Sequence, residues 1–128
     1  MRLLVDTHLL LWAVAKSGRL SKQARRLLED PANEVFFSAA SLWEIVIKAA
    51  LRRADFRVDV ALLRPALVEM GFAELPVTGA HAESLARLPL LHKDPFDRML
   101  VAQSLAEPLI LLTNDAALTG YGQVVRVV

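Results

Sequence analysis

Short apolar runs alternate with amphipathic stretches along the whole chain, and this alternation predicts its fold. Leu3–Val5 and Leu109–Thr113 are almost entirely apolar, as strands are when helices cover both faces of their sheet. The expected strands are Leu3–Val5, Val35–Ser38, Ala73–Val77, Leu109–Thr113 and Val124–Val128. Strands that alternate with helices indicate βαβ units. We therefore expect a single domain over residues 1–128, an α/β/α three-layer sandwich with a central, mainly parallel sheet of about five strands.

The stretches between these strands carry apolar residues at helical spacing, preceded by residues that begin helices. The expected N-caps are Ser21, Ser41, Asp59 and Asp94. The expected helices are Leu9–Ala15, Ser21–Glu29, a long helix capped by Ser41, Val60–Met70, Gly79–Arg87 and one from Asp94 to about Ala106, with one helical turn at Ala116–Leu118. Trp43 lies among apolar neighbours on the long helix, so we expect it to pack in the core or in a dimer interface.

Composition and charge narrow the class of protein. Hydrophobic residues make up 55% of the chain, enough for a packed core, but no apolar run approaches the ~20 residues that span a bilayer. The absence of cysteine excludes disulfides and thiolate metal sites, and it fits the cytoplasm. The net charge is only +1, whereas proteins that bind nucleic acid by charge alone are far more basic. Any contact with nucleic acid must therefore be local, or helped by a bound cation or a second subunit.

Four acidic residues lie where the predicted topology brings distant parts of the chain together. Asp6 follows the first strand and Asp115 follows the fourth, while Glu44 and Asp97 lie in the first turns of two helices. Ligands of parallel α/β sheets bind outside the carboxyl ends of the strands. We therefore expect the four carboxylates to converge on one crevice at that edge of the sheet.

Each acid taken alone also has an ordinary structural interpretation. Asp6 and Asp115 can cap the helical turns that follow them. Ser41-x-x-Glu44 matches a capping box, and Asp97 is an acid in a first helical turn. As a set, however, crowded carboxylates raise one another's pKa and destabilise a fold that binds no cation. Oxygen donors without cysteine favour Mg²⁺ or Mn²⁺, and such an ion suits the hydrolysis of phosphodiesters.

Four segments resemble the acid-bearing motifs of PIN domains, in order and over nearly the whole chain. They are Leu3-Leu-Val-Asp-Thr7, Ser38-Ala-Ala-Ser-Leu-Trp-Glu-Ile45 with Lys48 after it, His92-Lys-Asp-Pro-Phe-Asp-Arg-Met-Leu100, and Leu111-Leu-Thr-Asn-Asp115. The Asp-Pro-Phe-Asp-Arg form is similar to that of VapC-like toxins. The resemblance implies a Mg²⁺- or Mn²⁺-dependent endoribonuclease that cuts RNA, works as a homodimer and is silenced by a VapB-like antitoxin.

The resemblance also implies roles for individual residues. The residues that match the family's acids are Asp6, Glu44, Asp97 and Asp115. Of these, Asp6, Asp97 and Asp115 are expected to hold the metal, and Glu44 to complete its shell or to orient the attacking water. The residues expected to assist are Thr7, Ser38, Asp94 and Thr113. Lys48 and Arg98 are the basic residues expected to contact a substrate phosphate.

Two other functions stay open at this point. Asp6 could be the nucleophile of a phosphatase or phosphotransferase, but enzymes of the haloacid-dehalogenase type usually carry a second Asp two residues later, where this chain has His8. The chain could also be a non-catalytic binding module whose acids only cap helices. His92 is expected to shape its own loop. Apolar surface in Leu9–Val14 and Leu62–Val68 is expected to meet a dimer partner or an antitoxin.

Overall fold

The computed structural model describes residues 1–128 and confirms the α/β sandwich. The five strands are Arg2–Val5 (β1), Glu34–Ser38 (β2), Ala73–Leu75 (β3), Ile110–Thr113 (β4) and Val125–Val127 (β5). They form one sheet in the order β3-β2-β1-β4-β5, and every neighbouring pair is parallel. The sheet is therefore entirely parallel, where the sequence indicated a mainly parallel one.

Six α-helices and two short 3₁₀ helices connect the strands. The α-helices are Thr7–Val14 (α1), Lys22–Glu29 (α2), Ala39–Ala50 (α3), Val60–Glu69 (α4), Gly79–Ala86 (α5) and Pro95–Ala106 (α6). The 3₁₀ helices cover Ala54–Phe56 and Ala116–Tyr121, and the first of them was not predicted because three residues carry no periodic pattern. None of these helices combines the length and the apolar character that crossing a bilayer requires.

The sheet separates two hydrophobic cores, and strand β1 shows how. Leu3 and Val5 contribute to one core and Leu4 to the other, because successive side chains of a strand point to opposite faces. The first core contains buried side chains of α1 to α4, and the second contains those of α6. Each fully buried leucine contributes about 1.5–3 kcal/mol. Burial on both faces therefore explains why the strands are continuous apolar runs.

The order of the strands creates the position of the site. The chain moves outward from β1 through β2 to β3, and then returns to form β4 on the other side of β1. At such a switch point the connections leave in opposite directions and open a crevice outside the carboxyl ends of the two strands. Asp6 directly follows β1, and Asp115 follows β4 after one intervening residue.

Helix α3 begins earlier than the sequence pattern indicated, which corrects three expectations. Ser38, not Ser41, is its N-cap, because the Ser38 hydroxyl accepts a hydrogen bond from the N–H of Ala40 at 3.0 Å. Ser41 is buried in the first turn, so the predicted capping box with Glu44 is wrong. Glu44 consequently lies in the second turn. Trp43 is 63% exposed, so the prediction of a core position for it is also wrong.

Two other boundaries differ for local reasons. Helix α1 begins at Thr7 instead of Leu9, because the Asp6 carboxylate accepts the N–H of His8 at 2.9 Å and caps the helix there. Strand β3 ends at Leu75. Pro76 follows, and a proline has no N–H with which to continue the ladder.

Candidate metal centre

A polar cleft of about 300 Å³ opens at the switch point between β1 and β4. It has no hydrophobic lining residue. The residues that line it are Asp6, His8, Glu44, Lys48, Asp94, Asp97, Asn114 and Asp115. The four acids singled out in the sequence thus share one cleft, which we call the acidic cleft.

Thr113 connects the first and the fourth acid. Its hydroxyl donates to Oδ2 of Asp6 at 2.8 Å and accepts the backbone N–H of Asp115 at 3.0 Å. Both acids also cap the helical turns that follow them, Asp6 through the N–H of His8 and Asp115 through the N–H of Ala117 at 2.9 Å. Each of these two residues therefore caps a helical turn and also lines the acidic cleft.

Glu44 is buried with both carboxylate oxygens occupied. Oε1 accepts the Thr7 hydroxyl at 2.6 Å, and that hydroxyl lies 2.9 Å from the hydroxyl of Ser41. Oε2 accepts the ammonium group of Lys48, one turn further along α3. The sequence pointed to Thr7 as an assisting group but gave Ser41 a different role. Glu44 is therefore held in a fixed orientation at the wall of the cleft.

Asp94 and Asp97 both reach the cleft from the start of α6. Oδ1 of Asp94 caps this helix by accepting the N–H groups of Phe96 at 2.8 Å and Asp97 at 3.1 Å. Its Oδ2 lies 3.5 Å from Nζ of Lys48. No hydrogen bond reaches the carboxylate of Asp97, and the nearest basic nitrogen is Nε2 of His92 at 3.8 Å.

His92 was expected only to shape its own loop, and the structure also places it beside two of the acids. Its Nε2 lies 3.4 Å from Oδ2 of Asp115 and 3.8 Å from Oδ2 of Asp97. One potential ligand atom from each of these three residues falls within 4.8 Å of the others. Nδ1 of His92 accepts the N–H of Asp94 at 3.2 Å, so the proton of a neutral ring is on Nε2 and faces the acids. The only sequence signal was its place two residues before Asp94.

Burial, together with the crowding of carboxylates, raises the pKa values of two acids in the acidic cleft. Burial raises the pKa of Asp6, against the hydrogen bonds from Thr113 and His8 that lower it. Burial also raises the pKa of Asp97 to about 8, and the charges of Asp6, Asp94 and Glu44 add to this effect. Without a cation, the fold therefore disfavours ionisation of Asp97 at neutral pH.

Lys48 is the one ammonium group of the acidic cleft. Burial lowers its pKa, but the hydrogen bond and charge of Glu44, together with Asp94, outweigh burial, so the pKa is raised. Lys48 is therefore charged at neutral pH and paired with these two acids.

Two residues singled out in the sequence lie away from the acids. The Ser38 hydroxyl donates to Oε1 of Gln103 at 2.6 Å, in a buried contact that includes none of the four acids. Nη2 of Arg98 donates to the carbonyl of Leu88 at 3.2 Å, and Arg98 does not line the cleft. The structure therefore brings neither residue to the position that the sequence suggested.

The donor set of the cleft fits a hard divalent cation. Asp6, Asp97 and Asp115 offer carboxylate oxygens and have no lysine or arginine within 4.0 Å. His92 is the only basic side chain within that distance, and it approaches Asp97 and Asp115. Oxygen donors of this kind suit Mg²⁺ or Mn²⁺. A cation bound among them would offset the neighbouring negative charges that, in addition to burial, raise the pKa of Asp97.

The fold and the cleft define an α/β protein with clustered carboxylates at the switch point of a parallel sheet. The PIN domain family model matches residues 3–122, so this chain belongs to the PIN-domain family. Among solved structures, one chain of the crystal structure of VapBC2 from Rickettsia felis, bound to a DNA fragment from their promoter, is similar in fold. It aligns with 100% of this chain and 98% of its own length, at a TM-score of 0.67 and 13% identity. Among curated proteins, none matches the chain significantly.

Proposed function

We propose that this chain is a metal-dependent endoribonuclease and the toxin of a type II toxin–antitoxin system. The observation that carries the proposal is that Asp6, Asp97 and Asp115 line one cleft without hydrophobic lining residues, at the switch point of the sheet. Three carboxylates with no lysine or arginine beside them are costly to a fold that binds no cation. Membership of the PIN-domain family supports the same conclusion.

In this proposal, Asp6, Asp97 and Asp115 would hold the catalytic metal, Mg²⁺ or Mn²⁺. When bound there, such an ion would make water more acidic and would offset negative charge on the phosphate. Thr113 orients Asp6 through its hydrogen bond. Thr7 and Lys48 hold both oxygens of Glu44, so of its two expected roles we propose that it orients the attacking water and is not a direct ligand of the metal.

The reaction is the hydrolysis of a phosphodiester bond in RNA. Water attacks phosphorus in line with the leaving 3′ oxygen, the bond from phosphorus to that oxygen breaks, and the leaving oxygen gains a proton. The products carry 5′-phosphate and 3′-hydroxyl ends. No RNA 2′-hydroxyl is required as a nucleophile, because water supplies the attacking oxygen.

We further propose that the chain acts in the cytoplasm as a homodimer and is silenced by a VapB-like antitoxin. The similar fold in the VapBC2 crystal structure supports a partner of this kind. Exposed apolar side chains on two helices support protein partners in general, since such patches mark interaction surfaces. They include Trp43 on α3, and Leu62 and Val68 on α4.

The proposal is tested with an end-labelled single-stranded RNA and the purified chain. We expect cleavage with Mg²⁺ or Mn²⁺ and none with EDTA. Asp6→Asn keeps an oxygen for the helix cap but loses a charged ligand. It should reduce the rate at least about 100-fold, because even residues behind the ligands change activity about 10- to 100-fold. Asp59→Asn is the matched control, since Asp59 is an exposed cap on α4.

Four outcomes would contradict the proposal. Full activity of Asp6→Asn would show that Asp6 and its metal site take no part in the reaction. Cleavage that persists in EDTA would exclude metal dependence. Hydrolysis of a phosphomonoester without cleavage of RNA would favour the phosphotransferase alternative, and a melting temperature that no divalent ion changes would favour a binding module.

A further inference from the structure

Lys48 divides the carboxylates of the acidic cleft into two groups. Its ammonium group contacts Oε2 of Glu44 and lies 3.5 Å from Oδ2 of Asp94. The three other acids of the cleft have no lysine or arginine within 4.0 Å. Glu44 and Asp94 thus share one positive charge, and the carboxyl groups of Asp6, Asp97 and Asp115 remain available to a metal ion.

The contact of Lys48 differs from an ordinary ion pair on a helix surface. Glu44 and Lys48 are four residues apart on α3, and exposed pairs at this spacing are worth only about 0.3–0.5 kcal/mol. Here the two side chains are 3% and 14% exposed. Removing the ammonium would leave the carboxylate of Glu44 buried without a counter-charge, which is strongly unfavourable.

The surroundings of Lys48 hold its ammonium group in place. Nζ lies 5.0 Å from the ring centroid of Phe56 and 5.7 Å from that of Phe96, both within cation–π range. Its partner Glu44 is fixed in turn by the hydroxyl of Thr7. The positive charge at this wall of the cleft is therefore preorganised and not a mobile surface charge.

We propose that the ammonium group of Lys48 occupies the place of a second cation, so that the acidic cleft binds one divalent ion per chain. This inference rests on the proposed function and specifies its metal site. Two-metal nucleases use a pair of ions about 3.5–4 Å apart to offset charge on the attacking and leaving oxygens. Here a fixed ammonium beside one ion offsets part of that charge, as preorganised positive groups do in phosphoryl transfer. The sequence predicted that Lys48 contacts a substrate phosphate, and this inference assigns it the role of a fixed counter-ion instead.

The test counts the Mn²⁺ ions that the full chain binds at neutral pH, by titration calorimetry and by electron paramagnetic resonance of the free ion. The wild type should bind one ion per chain. Lys48→Met keeps the length and apolar stem of the side chain but removes the charge, and it should bind two. In the double variant Lys48→Met/Glu44→Gln the second ion should be lost again. Lys22→Met, which removes an exposed lysine from the start of α2, should still bind one.

The outcomes separate this inference from the proposed function. Two ions on the wild type, or one ion on folded Lys48→Met, would overturn the role of Lys48 and leave the metal site intact. No ion on the wild type would contradict the proposed function itself, and this inference with it. If circular dichroism shows that Lys48→Met does not fold, the wild-type count decides: one ion supports the inference and two overturn it.

Discussion

Replacing Asp97 with asparagine measures the unfavourable charge that the acidic cleft carries when no cation is bound. In the metal-free fold, burial and the charges of Asp6, Asp94 and Glu44 raise the pKa of Asp97 from 3.8 to about 8. An unfolded chain ionises this carboxyl near its ordinary value, so the folded state retains the proton to a higher pH. Asp97 therefore costs no stability below about pH 4, and the free energy of unfolding falls as the pH rises toward 8.

The size of the effect follows from the two pKa values. The rise from 3.8 to about 8 corresponds to about 6 kcal/mol above pH 8, at about 1.4 kcal/mol per pH unit. Water screens part of this energy, because Asp97 is 18% exposed. We expect Asp97→Asn to recover at least about 2 kcal/mol, which raises Tm by about 8 °C in a domain of this size. The substitution breaks no hydrogen bond, because none reaches the carboxylate of Asp97.

The assay is thermal unfolding followed by circular dichroism in EDTA, at pH 4.5 and at pH 8.5. Asp97→Asn should melt close to the wild type at pH 4.5 and well above it at pH 8.5. Mg²⁺ at pH 8.5 should raise the Tm of the wild type, because the ion binds only the folded state, and should leave Asp97→Asn nearly unchanged. The matched control Asp59→Asn should follow the wild type throughout. A gap between Asp97→Asn and the wild type that is the same at both pH values would refute the reasoning.

Two further substitutions test one hydrogen bond and one backbone conformation. Thr113→Val removes the hydroxyl that donates to Asp6 and should weaken Mn²⁺ binding by about 10-fold or more in calorimetry. The control is Thr119→Val, because the hydroxyl of Thr119 bonds only within its own 3₁₀ turn, and it should leave Mn²⁺ binding unchanged. Equal Mn²⁺ affinities of Thr113→Val and the wild type would contradict the role of Thr113. Gly122 has φ 92° and ψ −154°, a region open essentially to glycine, so Gly122→Ala should cost about 1–3 kcal/mol in urea unfolding. Gly18→Ala has open space and no positive φ, and a similar loss there would contradict the argument from backbone strain.

Much of the fold could be predicted because its determinants are local. The run from Leu3 to Val5 is apolar at every position, and this alone requires a covering layer on each face of the strand. The alternation of strands and helices then predicts parallel pairing, and parallel pairing brings Asp6 and Asp115 to the same edge. The strand order was not predictable, because an apolar run does not specify which neighbour it pairs with.

Details of the site depended on where α3 begins. The side chain of Ser38 caps this helix, so the cap lies three residues before the expected one, Ser41. A helix turns by about 100° per residue, and the shift changes which side chains face the sheet, the cleft and solvent. Ser41 is therefore buried beside Thr7, while Trp43 is exposed.

The sequence by itself determined the types of residue that this protein brings to its chemistry: oxygen donors after strands and at helix starts, a spacing of four between Glu44 and Lys48, and no thiolate. Only the tertiary structure decided how these charges are shared. Lys48 reaches Asp94 across 46 positions of the chain, and His92 turns toward Asp97 and Asp115. The physical reason is that caps and apolar runs act through near neighbours in the chain. Electrostatic interactions depend on distances of a few ångströms in space, and these are set by how helices pack on the sheet.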